Sequence, residues 1–235
     1  MSEAKLILFP VPLSEGDIDH VLPAWNVQLV KDVKFFIVEN VRSARRFLKK
    51  CCREIDIDSL TFFTLNRHTQ AAEIESFIAP LLAGNDMGVI SEAGCPAIAD
   101  PGADVVAIAQ RLQLRVIPLV GPSSIIMSLM GSGFNGQSFA FCGYLPIDAA
   151  ERARKFKDME QAIRRLDQTQ IFIETPYRNN RLIAEMVKTL PKQMRLCVAS
   201  DITGPGEKIL TRTIEQWGRM NYDYDKIPTI FLLYK

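Results

Sequence analysis

Short apolar runs alternate with helix-period segments through the first half of the chain. The runs at 6–9, 35–38, 61–65, 88–91 and 116–120 read as strands. Between them Ile74, Phe77, Ile78, Leu81 and Leu82 recur at three-to-four spacing, as do Val105, Ile108, Ala109 and Leu112. That spacing predicts amphipathic helices, and strand–helix alternation predicts a mostly parallel sheet covered by helices. From Gly121 the rhythm changes. A helix-like stretch at 123–130 precedes a strand candidate at 139–144 and a long charged segment at 149–166. Further strands are expected at 171–173, 196–199 and 229–234, with a helical face of Leu182, Ile183, Met186, Val187 and Leu190. The expectation is an α/β fold in two domains, 1–120 and 121–235, the first with a mostly parallel sheet and the second with a mixed one.

The turn from Ser91 to Gly102 reads S-E-A-G-C-P-A-I-A-D-P-G. It joins a predicted buried strand to a predicted helix and carries no bulky side chain. Such a turn lets backbone groups approach a ligand at the carboxyl end of a strand, where α/β sheets bind. As a mere connection it would still cap its helix, with Asp100 as N-cap and Pro101 at the first helical position.

Other segments carry candidate chemistry. Phe9-Pro-Val-Pro follows the first strand, and Ser14, Glu15, Gly16 and Asp17 then open a helix. Glu39-Asn-Val-Arg42 follows the second strand. Beyond it Arg42, Arg45, Arg46, Lys49, Lys50 and Arg53 share one face of a helix, either a solvated surface or a stripe that tracks phosphates. Ile173-Glu-Thr-Pro-Tyr-Arg178 ends a strand and starts a helix, with Glu174 where the strand emerges. Arg42 and Arg178 are candidates to orient a phosphate or carboxylate. His68 also lies just past a strand. Gly131-Ser-Gly-Phe-Asn-Gly136 matches a dinucleotide fingerprint letter for letter, but a helix precedes it and a strand follows. The order is reversed, so Gly131 and Gly133 read as a helix C-cap and turn.

Composition narrows the classes. Five cysteines, two of them adjacent and none in a C-x-x-C pair, argue against a disulfide framework and a zinc site, and two histidines against a His-rich metal site. No metal is expected. A net charge of +1 does not favour a strongly electrostatic nucleic-acid binder. No apolar run approaches the roughly 20 residues of a membrane span, and the first residues lack the pattern of a signal peptide, so a cytoplasmic protein without membrane partners is expected.

Taken in order, these segments resemble the tetrapyrrole methylase superfamily, most closely its branch of ribosomal RNA small-subunit cytidine 2′-O-methyltransferases. The matching order is Phe9-Pro-Val-Pro, Glu39-Asn-Val-Arg, Ser91-Glu-Ala-Gly-Cys-Pro with Asp100-Pro-Gly, Gly121-Pro-Ser-Ser, Gly143-Tyr-Leu-Pro, and Glu174-Thr-Pro-Tyr-Arg. Any one motif is weak; the ordered set is specific. The resemblance implies two α/β domains with a cleft between them holding S-adenosylmethionine, and a homodimer. By position it implies cofactor contacts from Pro10, Ser91, Ala93, Gly94, Cys95, Pro96, Ala97, Ile98, Ser123, Ser124, Ile173, Glu174, Pro228 and Thr229.

The implied activity is methyl transfer to ribosomal RNA at a ribose 2′-hydroxyl. Arg42, Arg45, Arg46, Lys49, Tyr177 and Arg178 are the expected substrate contacts, with ribosomal small-subunit RNA as partner. Glu39, His68, Asp100 and Glu174 are the strand-end candidates for a general base, and Arg42 joins the catalytic set as an orienting cation. The chain departs from the branch where E-D-T-R becomes Glu39-Asn-Val-Arg, where H-x-H-N-E keeps only His68, and where R-E-L-T-K becomes Ser200-Asp-Ile-Thr-Gly. Many RNA-methylating members also continue with a further C-terminal segment. These departures leave two alternatives: methylation of a small molecule such as a tetrapyrrole, or cofactor binding without turnover.

Overall fold

The computed structural model describes residues 4–66 and 69–235, so His68 lies outside the described residues. The chain divides into two compact units, Met1–Ser123 and Ser124–Lys235.

The first unit runs β1 (Lys5–Phe9), α1 (Ala24–Leu29), β2 (Phe35–Val38), α2 (Val41–Cys51), β3 (Thr61–Thr64), α3 (Ala71–Phe77), α4 (Ala79–Leu82), β4 (Met87–Ile90), α5 (Gly102–Arg111) and β5 (Arg115–Pro118). Its sheet is all parallel, in the order β3-β2-β4-β1-β5. Alternation along β1 explains the two-sided burial of this sheet. Leu6 and Leu8 join one core with Ile37, Val89 and Val105, while Ile7 and Phe9 join the other with Phe36, Val38 and Leu48. The chain leaves β1 towards β2 but leaves β4 towards β5, in opposite directions from neighbouring strands. The carboxyl ends of such strands are where an α/β sheet takes its ligand.

The second unit runs α6 (Ser124–Ser132), β6 (Phe139–Tyr144), α7 (Ala149–Leu166), β7 (Thr169–Ile173), α8 (Asn179–Thr189), β8 (Arg195–Ser200), β9 (Lys208–Thr213), α9 (Ile214–Trp217) and β10 (Thr229–Tyr234). Its sheet is mixed, in the order β6-β7-β10-β8-β9, with only the β6–β7 pair parallel. Phe156, Met159 and Ile163 of α7 and Leu182, Ile183 and Met186 of α8 pack on one face with Phe172, Val198 and Phe231. The Phe172 and Phe231 rings stack at 5.7 Å. On the other face α6 meets β9, where Thr211 donates to the Ser132 carbonyl at 2.8 Å. Each unit has one tryptophan: Trp25 is 57% exposed, whereas Trp217 is fully buried and its indole N–H donates to the Leu196 carbonyl at 2.9 Å.

The structure corrects several local expectations. The strand β9 was not foreseen: K-I-L-T-R-T is a half-buried edge strand whose outward Lys208 and Arg212 break the apolar run. Residues 14–17 open only a 3₁₀ turn, Ile18–His20. Helix α2 ends at Cys51 because Cys52 turns to an extended conformation, so Arg53 leaves the basic face. The expected cap shifts by one residue: Pro101 is the N-cap of α5. The Asp100 carboxylate still accepts the Gly102 N–H at 2.6 Å. Gly131 lies inside α6, packed on Ile209, and only Gly133, at φ +72°, sits past the helix end.

Candidate functional site

Three connections close on one another at the carboxyl edge of the first sheet. Val11 and Gly94 exchange backbone hydrogen bonds at 3.0 and 3.1 Å. Gly94 has φ +72°, and a Cβ there would lie 3.1 Å from Leu13 and 3.3 Å from the Pro122 carbonyl. A Cβ on Gly121 would lie 2.2 Å from Pro10, so glycine alone permits that approach. Ser91, buried, donates to the Gly94 carbonyl at 3.0 Å. The Cys95 thiol donates to the Pro122 carbonyl at 3.4 Å, and burial pushes its pKa up, so it is a wall group and not a reactive thiolate. Past it Ala97 and Ala99 adopt φ of 64° and 56°, strained for non-glycine residues. Asp100 holds this bend by accepting the Ala97 N–H at 3.1 Å.

Pro10, Ser91, Ala93 and the segment Gly94, Cys95, Pro96, Ala97, Ile98 therefore share one edge, and Ser123 ends the same unit two residues after Gly121. The N–H groups of Cys95 and Ile98 are unengaged among the described residues. Unengaged backbone donors beside small side chains suit the polar edge of a nucleoside, which needs hydrogen bonds at close approach.

Carboxylates gather beside this turn. Glu39, just past β2, lies close to Asp100 and Glu92. Burial first, then the Asp100 hydrogen bond and charge, then the Glu92 charge, push Glu39 up to about 7. The Asp100 carboxylate itself accepts two backbone N–H groups. Asn40, where the resemblance expects an acid, caps α2 by accepting the Arg42 and Ser43 N–H groups at 2.9 and 3.3 Å.

The basic face of α2 is partly tied down. Arg45 pairs with exposed Asp58 at 3.1 Å, Lys49 donates to the Arg53 carbonyl at 2.9 Å, and Lys50 donates to the Gly16 carbonyl. Arg42 and Arg46 are exposed and have no side-chain partner among the described residues. Between α2, the turn after β1 and the turn after β4 lies a cavity of about 390 Å³. It is lined by Phe47, Arg46 and Glu92, among others. Glu92 received no role in the sequence; its position beside Ser91 in the strand-end turn was the available signal.

In the second unit, β10 runs antiparallel to β7 with Ile230 opposite Ile173. Thr229 and Pro228 thus lie beside Ile173 and Glu174. Glu174 is buried, and its Oε1 accepts from the Thr175 N–H at 2.6 Å and from Arg178 Nη2 at 2.7 Å. Arg178 is therefore committed to Glu174 and not free for an outside anion, while Tyr177 is 75% exposed. Buried Asn179 donates to Thr229 Oγ1 at 3.1 Å and to the Tyr224 and Ile227 carbonyls, which fixes the start of β10. Ser124 opens α6. A smaller cavity, about 140 Å³, lies against Glu174 and an ion pair between buried Arg152 and half-buried Glu185 at 2.7 Å, which was not foreseen. Among the described residues no group of His, Cys, Asp and Glu could hold a metal ion, and no helix is long and apolar enough to cross a membrane.

No family model matches the chain. It is 30% identical over 203 residues to the ribosomal RNA small subunit methyltransferase I of Vibrio cholerae, covering 86% of this chain and 67% of that protein. Among solved structures, the methyltransferase CobJ superposes with a TM-score of 0.65 at 12% identity, covering 100% of this chain and 95% of CobJ. A uroporphyrin-III C-methyl transferase from Thermus thermophilus, complexed with S-adenyl homocysteine, superposes at 0.57 with 14% identity, covering 99% and 97%. The strand-end turn with its carboxyl pair, the all-parallel and mixed sheets, and these similarities agree: the chain belongs to the ribosomal RNA small subunit methyltransferase I family, has the tetrapyrrole methylase fold, and is a methyltransferase.

Proposed function

We propose that this methyltransferase modifies a ribose 2′-hydroxyl in small-subunit ribosomal RNA. Its methyl donor is S-adenosylmethionine, which when bound supplies an electrophilic sulfonium methyl and a thioether leaving group. Support for the RNA comes from the similarity to ribosomal RNA small subunit methyltransferases I and from the cations Arg42 and Arg46 beside the site, which have no side-chain partner among the described residues. The observation that carries the chemistry is the Glu39–Asp100 carboxyl pair. A hydroxyl attacking a methyl group must lose its proton, and a base is most effective with a pKa near the working pH. Glu39, pushed up to about 7, meets that requirement. Asp100 holds it in place, and Arg42, in the first turn of α2, positions the acceptor's phosphate.

The cofactor residues in this reading are Pro10, Ser91, Ala93, Gly94, Cys95, Pro96, Ala97, Ile98 and Ser123 in the first unit. Ser124, Ile173, Glu174, Pro228 and Thr229 are those of the second. Backbone donors at Cys95 and Ile98 hold the nucleoside, and small side chains admit it. Proximity in such a site supplies roughly 7–11 kcal/mol towards methyl transfer. A cytoplasmic homodimer completes the reading and rests on the resemblance.

Incubation with methyl-labelled cofactor and unmethylated small ribosomal subunits tests it. Label should appear on a ribose 2′-oxygen after nuclease digestion, and Glu39→Gln should lower the rate by roughly 10²-fold or more. Label only in small metabolites, or none in RNA, overturns the substrate.

A further inference from the structure

Asn26, in the short helix α1, is 3% exposed, and its Nδ2 donates to the Val120 carbonyl at 2.7 Å, across 94 positions of the chain. Its Oδ1 is buried as well and has no protein partner among the described residues. A buried amide with its acceptor unmet is a net burden on the fold. A leucine of the same branched shape would avoid that cost, so stability does not explain an asparagine here. Its one bond leads instead to the segment that leaves β5. Buried Leu22, just ahead of α1, faces the same segment: a Cβ on Gly121 would lie 3.4 Å from it.

That segment is placed by polar contacts. Val120 is 74% exposed, so burial of its own side chain does not hold it. The Leu119 N–H donates to the Leu8 carbonyl at 3.1 Å and extends the β1–β5 pairing. Beyond it the Val120 carbonyl takes Asn26, and the Pro122 carbonyl takes the Cys95 thiol, a weak donor. Asn26 therefore supplies the strong side-chain bond to this turn. The turn runs on to Ser123, which shares the cofactor edge with Pro10 and the segment from Gly94 to Ile98 in the reading above. Ligand contacts need groups held within about 0.5 Å of their productive places by residues behind them. We propose that Asn26 is a positioning residue for the cofactor: it fixes residues 120–123 where Ser123 meets S-adenosylmethionine, and its unmet oxygen is stability forgone for that placement. The proposal rests on the cofactor reading and adds a residue that does not itself touch the ligand.

The test uses the full chain and separates placement from stability. S-adenosylmethionine and S-adenosylhomocysteine are titrated calorimetrically into the parent and Asn26→Leu, alongside melting curves and amide hydrogen exchange. Asn26→Leu should melt within about 4 °C of the parent, because the unmet acceptor leaves together with the donor. It should nonetheless bind both ligands roughly three- to tenfold more weakly, the worth of one hydrogen bond. Exchange should quicken at the N–H groups of Val120, Gly121 and Ser123 while β1 and β4 stay protected. In methyl transfer the cofactor KM should rise by the same factor with kcat near the parent value. Should Asn26→Leu fail to fold, Asn26→Asp, equal in size and lacking the donor, carries the same readings. Unchanged affinity in a folded variant overturns the assignment and leaves the cofactor reading intact. Protection lost throughout the first unit, together with the melting temperature, makes Asn26 a stability residue and also overturns it. No cofactor binding by the parent removes the cofactor reading, and this assignment with it.

Discussion

Val11 and Gly94 are joined by a reciprocal pair of backbone hydrogen bonds, so the turn after β1 and the turn after β4 form one two-stranded lip. The lip depends on Gly94 at φ +72° with Leu13 and the Pro122 carbonyl close to where a side chain would begin. Gly94→Ala should cost about 1–2 kcal/mol in stability from the left-handed backbone. It should also weaken cofactor binding. Urea denaturation and calorimetric titration check the two effects; unchanged affinity would separate Gly94 from the cofactor site.

Glu39 sets a pH signature. Its folded pKa is raised from 4.5 to about 7, so the folded state binds the extra proton between those values. That contribution to stability is present below pH 4.5 and fades as pH rises through 7. Glu39→Gln should therefore gain thermal stability relative to the parent at pH 8 and gain little at pH 5. Activity should run the other way in the parent, rising through pH 7 as the base form appears, and that rise should vanish in Glu39→Gln. Paired melting curves and pH–rate profiles decide it.

The Arg152–Glu185 pair is a stability element of the second unit. The Arg152 side chain is 9% exposed, makes two nitrogen contacts to Glu185, and donates to the Pro146 and Ile147 carbonyls at 2.8 Å. Arg152→Met leaves the partly exposed Glu185 carboxylate and two carbonyls without their donor and should cost about 1–3 kcal/mol. Adding Glu185→Leu should recover part of that loss. A double variant no better than the single one would assign the loss to the carbonyl contacts.

Arg42 and Arg46 should act on RNA through charge. Replacing both by Gln should weaken binding at low salt and flatten the slope of log affinity against log salt by roughly 1.4–1.8, the loss of two phosphate contacts. An unchanged slope would place the RNA elsewhere on the surface.

The elements with strong period were legible. Leu6 to Phe9 read as a strand because every residue is apolar, and both sheet faces prove to be covered. The basic face of α2 followed from spacing alone, but its end did not: Cys52 breaks the helix, and nothing in the letters around it announces the break. The strand β9 escaped because an edge strand needs only one buried face, and its Ile209, Thr211 alternation is interrupted by charge. The resemblance pointed to Glu39 and Asp100 separately. Their contact depends on how two connections fold back over the sheet, which local pattern does not encode. Nor did spacing reveal that Arg178 is held by Glu174, since both acids and cations at strand ends read as available until the partner is seen.

The two tryptophans give the molecule a built-in pair of optical reporters. The Trp217 ring, sealed in the second unit with its N–H on Leu196, should emit to the blue, and the solvent-facing Trp25 of the first unit to the red. Melting of the second unit thus shows, without a dye, as a shift of the Trp217 emission from blue to red, against a Trp25 that faces solvent throughout.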